Sequence, residues 1–424
     1  MLRILMSMRD PFPPQRPDVK ALFGRYLADR GLGTDLLAEA APGAGSCGSA
    51  WQAGRVELFV PSSSGRLRKF VGAAIFFFVG LGRASRDVGA IQVRDQIFLA
   101  LPGLIVARLR GIKFFYWMSF PFPEGYLEIA RSESLAASPM RRFASILRGY
   151  TGELVLYRMV APRADHLFVQ SARMLEAMAA RGVQRDRMTA VPMGVDLASL
   201  RAAAITPAVD HRLVGGRPLV YLGALDRVRR IDFLLHVLAR IRLAFPQVIL
   251  ILAGDASEPG DLDWLRREAQ RIGVDGAVVW LGWLPSEQAW SYVKCAEVGL
   301  SPIPPGPLYE VSSPTKALEY MALGVPVVGS RIPDQEMVLR QSQAGVVVDY
   351  DVAAFADATI RLLMEPGRAR AMGARGPEYI ARERDYSVIA DRVAAVYRSL
   401  LTPPSIKGVE GADAPAPVVP DHGR

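Results

Sequence analysis

Short, continuously apolar runs alternate along this chain with longer segments whose apolar positions recur every three to four residues. A continuous run marks a strand buried on both faces, and the longer period marks the helices that cover it, so the pattern predicts parallel sheets of an α/β protein. Strands are expected at 3–8, 55–60, 88–93, 112–118, 166–169 and 188–191 in the first half. In the second half they are expected at 219–223, 248–253, 277–281, 298–301, 325–329 and 345–348. Between the halves, 202–216 is polar, with Pro207, Gly215 and Gly216, and reads as a linker.

The expected organisation is two Rossmann-like domains, 1–201 and 217–384, with a terminal helix over 385–402. The tail 403–424, rich in Pro, Ala, Gly and Asp, is expected to be disordered. Open parallel sheets bind ligands at the carboxyl ends of their strands, so two in tandem point to a shared cleft.

Composition fits this picture. The 424 residues exceed what one core usually holds, and with 50% hydrophobic and 22% charged residues the chain is globular. Cys47 and Cys295 are far apart and have no metal-ligand spacing, which points to neither a disulfide framework nor a zinc site and fits a reducing compartment. The N-terminus meets Asp10 and a proline cluster before any long apolar run, so no secretory signal is expected and the cytoplasm is the expected location. The most apolar stretch, 70–82, is too short to span a bilayer, which takes roughly 18–20 residues. The net charge of +9 is concentrated in residues 1–200, where 26 Lys and Arg face 16 Asp and Glu. That imbalance implies an anionic partner for the first half, such as a membrane surface or a lipid pyrophosphate. Nucleic acid is not expected, because no recognised binding module accompanies the charge.

The segment 313–330, SPTKALEYMALGVPVVGS, carries the clearest chemistry. Pro314 precedes or opens a helix, Thr315 is a suitable cap, and strong helix formers run to Gly324. The amides of 313–316 then point outward at a helix N-terminus, and Lys316 adds a full charge, an arrangement suited to phosphate. Glu319, one turn on, can accept hydrogen bonds from vicinal ribose hydroxyls. An ordinary capped helix with a solvated Lys and Glu is the alternative.

This segment resembles the ribose- and phosphate-binding helix of retaining GT-B glycosyltransferases of family 4. Further pieces follow in that family's order: SARM at 171–174, RGV at 181–183, VPMGVD at 191–196, YLGALD at 221–226 with Arg229, LAGD at 252–255, LGWLP at 281–285 and AEVGLSP at 296–302. The resemblance covers about 165–401 well and the first 160 residues loosely. It implies a GT-B fold, two Rossmann-like domains facing across a cleft, with a terminal helix returning to the first.

The resemblance further implies transfer of a hexose from a UDP- or GDP-linked donor, without cofactor or metal, to a lipid-linked or polysaccharide acceptor at the inner membrane face. Arg229 and Lys316 would bind the diphosphate, with Gly223 and Arg230 in the same loop, and Glu310 would approach the sugar. Ser312, Ser313, Pro314 and Thr315 would offer backbone contacts, and Glu319 would hold the ribose. Trp283 and Leu284 would flank the nucleobase, with packing the alternative for Trp283.

Several positions depart from the family pattern. Ala224 replaces an arginine, Val311 stands where the first of two glutamates is expected, and Glu310 is one residue too far. The glycine-rich turn after the first strand is replaced by DPFPP at 10–14, and Met118 and Ser119 stand where a histidine is expected. None of His166, His211, His236 and His422 matches a catalytic position. The GxGxxG match at 43–48 lacks a strand leading in and a helix leading out.

On the acceptor side, Met140, Phe143, Leu147, Tyr150, Leu154 and Tyr157 form a helical seam bordered by Arg141, Arg142 and Arg148, which is either a membrane-facing surface or a core face. Arg66, Arg68 and Lys69 before one apolar run, and Arg108, Arg110 and Lys113 before the aromatic run 114–122, add to the membrane reading. Arg94 and Asp95 either face the cleft or form a structural pair. Two rival functions share the scaffold: nucleotide-sugar epimerisation, and a degenerate binding protein.

Overall fold

The computed structural model describes residues 2–41, 51–60, 66–83, 85–131 and 138–402. The GxGxxG match, Cys47, His422 and the tail 403–424 lie outside them, as do the side chains of Arg66, Arg68 and Lys69. The first sheet contains β1 (Leu2–Met8), β2 (Leu32–Glu39), β3 (Val56–Phe59), β4 (Val88–Arg94), β5 (Lys113–Met118), β6 (His166–Val169) and β7 (Met188–Ala190) in the order β3-β2-β1-β4-β5-β6-β7. The second contains β8 (Arg217–Leu222), β9 (Val248–Ala253), β10 (Val278–Gly282), β11 (Val298–Ser301), β12 (Val327–Ser330) and β13 (Gly345–Val348) in the order β10-β9-β8-β11-β12-β13. Every pairing is parallel, so both domains are doubly wound, with switch points between β1 and β4 and between β8 and β11.

One strand, β2, escapes the hydrophobic pattern because Gly33, Thr34 and Asp35 interrupt it. Asp35 is buried there all the same, accepting from the Arg3 guanidinium at 3.2 Å and the Arg55 amide at 2.8 Å.

Each sheet has a core on both faces, and the chain crosses between domains twice. Met193, Val195, Leu197 and Leu200 already pack into the second domain's core, ahead of the polar linker. The terminal helix Tyr386–Leu401 returns to the first sheet, burying Tyr386, Ile389, Val393 and Tyr397 against it. Among the described residues, no helix is long and apolar enough to cross a membrane.

Candidate functional site at the second switch point

The carboxyl ends of β8, β9 and β10 are laced into one platform. The Gly223 amide donates to Ala253 O at 3.0 Å, the Gly254 amide to Gly282 O at 2.9 Å, and the Leu225 amide to Asp255 O at 3.0 Å. Gly223 has φ +138° and Gly254 φ +152°, and a Cβ on Gly254 would lie 1.9 Å from Gly223 O, so both positions require glycine.

Against this platform lies the helix Thr315–Ala322. Tyr320 fixes its pose, its hydroxyl accepting from the Leu222 amide at 2.8 Å, while a Cβ at Gly299 would meet the Tyr320 ring at 2.4 Å. The cap position is Pro314, with Thr315 already in the first turn, which corrects the expected Thr315 cap. No side chain caps the helix. Its first amides therefore remain directed out of the helix end at the switch point.

Lys316 rises from that first turn, partly buried, with Nζ 4.8 Å from the centroid of the Tyr221 ring. Its burial and the nearby Arg229 guanidinium push its ammonium down to about 7. Glu319, one turn on, is pushed up to about 7 by burial even though the Trp290 indole and Lys316 favour its charge. Arg229 ends the turn Arg227–Arg229, its guanidinium 6.0 Å from the Tyr309 ring, and makes no ion pair among the described residues. The Tyr309 hydroxyl donates to Val228 O at 3.2 Å, clasping the two loops together. Two cations thus share a site that lacks full neutralisation by protein carboxylates, an arrangement suited to a polyanion.

The other expected residues divide. Arg230, with φ +53°, sits 5.9 Å from the Tyr350 ring. Arg227 instead lies over the Trp264 ring at 4.6 Å. Trp283 is 69% exposed just beyond β10, beside the partly buried Leu284, so core packing does not explain it. Glu310 ends the short helix Pro307–Glu310, and its carboxylate has no partner among the described residues. The Ser312 hydroxyl donates to Tyr309 O at 2.6 Å, and Ser313 points inward to Asp334 at 2.7 Å. Trp290 joins the site although no motif in the sequence marks it, and Tyr221, which opens the YLGALD segment, joins it as the ring beside Lys316. Among the described residues, no group of three His, Cys, Asp or Glu is arranged to hold a metal ion.

At the first switch point Arg94 is fully buried and bonded to Asp10, to Asp18 at 2.7 Å and to Asp95 at 3.6 Å. Asp95, at φ +60°, accepts from the Ser119 amide at 2.8 Å and the Ser119 hydroxyl. The pair is therefore part of a structural network. His166 is also structural: Nε2 lies 2.8 Å from the Thr189 hydroxyl, and burial lowers its pKa to about 4.

The acceptor-side expectations separate as well. The aromatic residues of β5 are core, and Asp165 engages Arg108 at 3.2 Å and Lys113 at 3.3 Å, so the strand's own aromatics face the interior and both cations are paired. In the helix Pro139–Glu153 and the π-helical turn Leu154–Val160 that continues it, Met140, Phe143, Leu147, Tyr150 and Leu154 are 52–83% exposed, while Tyr157 is buried. Arg141, Arg142 and Arg148 beside them form no ion pairs among the described residues.

Two doubly wound domains facing across a cleft define the GT-B fold. Sucrose-phosphate synthase from Thermosynechococcus elongatus superposes with a TM-score of 0.68 over 94% of this chain and 99% of its own, at 21% identity. Anabaena HepE in complex with UDP and glucose gives 0.68 over 94% and 100%, at 16% identity. In sequence, residues 216–365, which contain the whole second sheet, match the family described as Glycosyl transferases group 1. A D-inositol 3-phosphate glycosyltransferase from Segniliparus rotundus is 29% identical over 223 residues, 51% of this chain and 48% of that protein. Phosphatidyl-myo-inositol mannosyltransferase from Mycobacterium tuberculosis is 29% identical over 216 residues, 50% and 53% of the two chains. The chain thus spans about half the length of these curated relatives.

Proposed function

We infer that this protein is a retaining glycosyltransferase that moves a hexose from a UDP- or GDP-linked sugar to a lipid-linked or polysaccharide acceptor at the cytoplasmic face of a membrane. The observation that carries the reading is Lys316 at the open start of the helix Thr315–Ala322, seated 4.8 Å from the Tyr221 ring, with Arg229 on the loop that follows β8. A departing diphosphate gains negative charge in the transition state, and preorganised cations and amides stabilise that charge directly. Glu319, held by Trp290, is placed for the ribose, while Trp283 and Leu284 offer the base an apolar flank. The protein's remaining task is to orient donor and acceptor. No metal is assigned a role.

The relatives' printed names include inositol phosphate and phosphatidyl-inositol acceptors, and the Anabaena structures hold UDP or UDP-glucose, which supports the substrate class. The exposed stripe beside Arg141, Arg142 and Arg148 supports the membrane location, because apolar contact and arginine charge together suit an anionic bilayer.

The test is transfer from labelled UDP- and GDP-hexoses into membrane extracts, alongside calorimetry with UDP and GDP. Lys316→Ala should lower kcat/KM at least about tenfold, which is about 1.4 kcal/mol of transition-state stabilisation. Unchanged kinetics would remove Lys316 from the mechanism, turnover of donor without acceptor would favour epimerisation, and binding without turnover would favour a scaffold.

A further inference from the structure

Residues 311–313 connect the short helix Pro307–Glu310 to the phosphate-binding start of the helix Thr315–Ala322, and they are held from outside their own domain. The Ser171 hydroxyl, at the first domain's helix Ala172–Ala179, donates to Val311 O at 2.6 Å while accepting from the Met174 amide at 3.0 Å. The Val311 side chain packs against the first domain's core. Two residues later the Ser313 hydroxyl accepts from the Met193 amide at 3.0 Å, on the chain passing between domains, and donates to Asp334 at 2.7 Å. Asp334 is paired at 2.7 Å with Arg384, whose guanidinium also donates to Met193 O at 3.1 Å. The Arg384 carbonyl accepts from the Val195 amide at 2.8 Å, tying in the segment that enters the terminal helix. Ser171, Ser313, Asp334 and Arg384 are all buried.

We propose that 311–313 is an interdomain latch: the first domain, through Ser171 and the Val311 pocket, and the two crossing segments, through Met193 and Arg384, position the amides and Lys316 that hold the donor diphosphate. Ser171, Val311, Ser313, Asp334 and Arg384 are positioning residues on this view, and Val311 fills with apolar contact a place where a carboxylate would meet a buried domain face. Donor affinity then depends on the domains' juxtaposition, because a loop pinned from both sides is competent only when both sides are in place. The proposal rests on the donor reading above.

The experiment measures UDP and GDP binding by calorimetry on the full chain, with melting curves, for Ser171→Ala, Ser171→Thr, Val311→Ala and Ser313→Ala. Ser171→Ala, Val311→Ala and Ser313→Ala should each weaken nucleotide binding at least about fivefold at temperatures where the protein is fully folded. Ser171→Thr, which keeps the hydroxyl, should restore affinity. Wild-type affinity in all three with only a lowered melting temperature would mean the loop is structural and overturn the latch. Failure of the unmodified protein to bind either nucleotide would overturn the donor reading and the latch with it, so the two failures are distinguishable.

Discussion

Lys316 is a lysine withdrawn from water beside a second cation, and that placement sets how the site responds to pH. Its folded pKa of about 7 lies below its ordinary 10.5, so the unfolded chain binds more protons between these values and this group's contribution to stability rises with pH across that window. Glu319 at about 7 lies above its ordinary 4.5, and its contribution falls as pH rises from 4.5 to 7. Together the two predict a stability minimum near neutral pH in the unliganded protein, read from urea midpoints across pH. A bound diphosphate draws Lys316 back to its charged form, so UDP binding at pH 8.5 should take up close to one proton. Calorimetry in buffers of different ionisation enthalpy measures that uptake, and Lys316→Ala should abolish it; binding without uptake would show that Lys316 does not meet the phosphate. Gly254→Ala tests the platform beneath, since its Cβ would collide with Gly223 O at 1.9 Å. Nucleotide binding should fall by more than tenfold with little change in the first domain's melting.

At the scale of elements, the exposed face of the helix Pro139–Glu153 needs a reason. It packs on the helix Phe122–Arg131, where Gly149 admits Leu127 closely enough that an added Cβ would lie 2.5 Å from it. The opposite face carries the exposed stripe. Burying one such large apolar side chain contributes about 1.5–3 kcal/mol, and each arginine near an anionic surface adds about 1 kcal/mol. Phe143→Glu combined with Leu147→Glu should therefore reduce sedimentation with phosphatidylglycerol vesicles at least about tenfold while leaving the melting temperature nearly unchanged. If vesicle binding is unaffected, or a dimer dissociates instead, the stripe serves another surface. The sequence locates this seam by its period but cannot say which way it faces, because core and bilayer favour the same residues; only the packing of the opposite face decides.

Across the whole molecule, the terminal helix makes the first domain's fold depend on the last residues of the described chain. Tyr397 is fully buried against Phe115 and Phe168, and its hydroxyl donates to the buried Gln92 amide oxygen. Tyr397→Ala removes an aromatic side chain from a packed core and leaves the buried Gln92 amide oxygen without its donor, so it should destabilise the protein by about 3–5 kcal/mol. Thermal melting checks this, and a shift within about 1 °C would mean the helix is not integral to that core.

The sequence by itself determined the two parallel-sheet domains, twelve of whose strands carry plain apolar runs, and the helix that presents Lys316 in its first turn, because burial on both faces and helix-terminus chemistry are local demands on residue type. β2 was hidden by Gly33, Thr34 and Asp35, whose burial depends on partners at Arg3 and Arg55. The tertiary structure alone decided that Arg94 serves a buried network, that Ser313 turns inward, that Tyr221 and Trp290 hold Lys316 and Glu319, and that Val311 is gripped by the other domain. Those roles are set by contacts between residues distant in the chain, and no periodicity or spacing along it encodes which partners will meet.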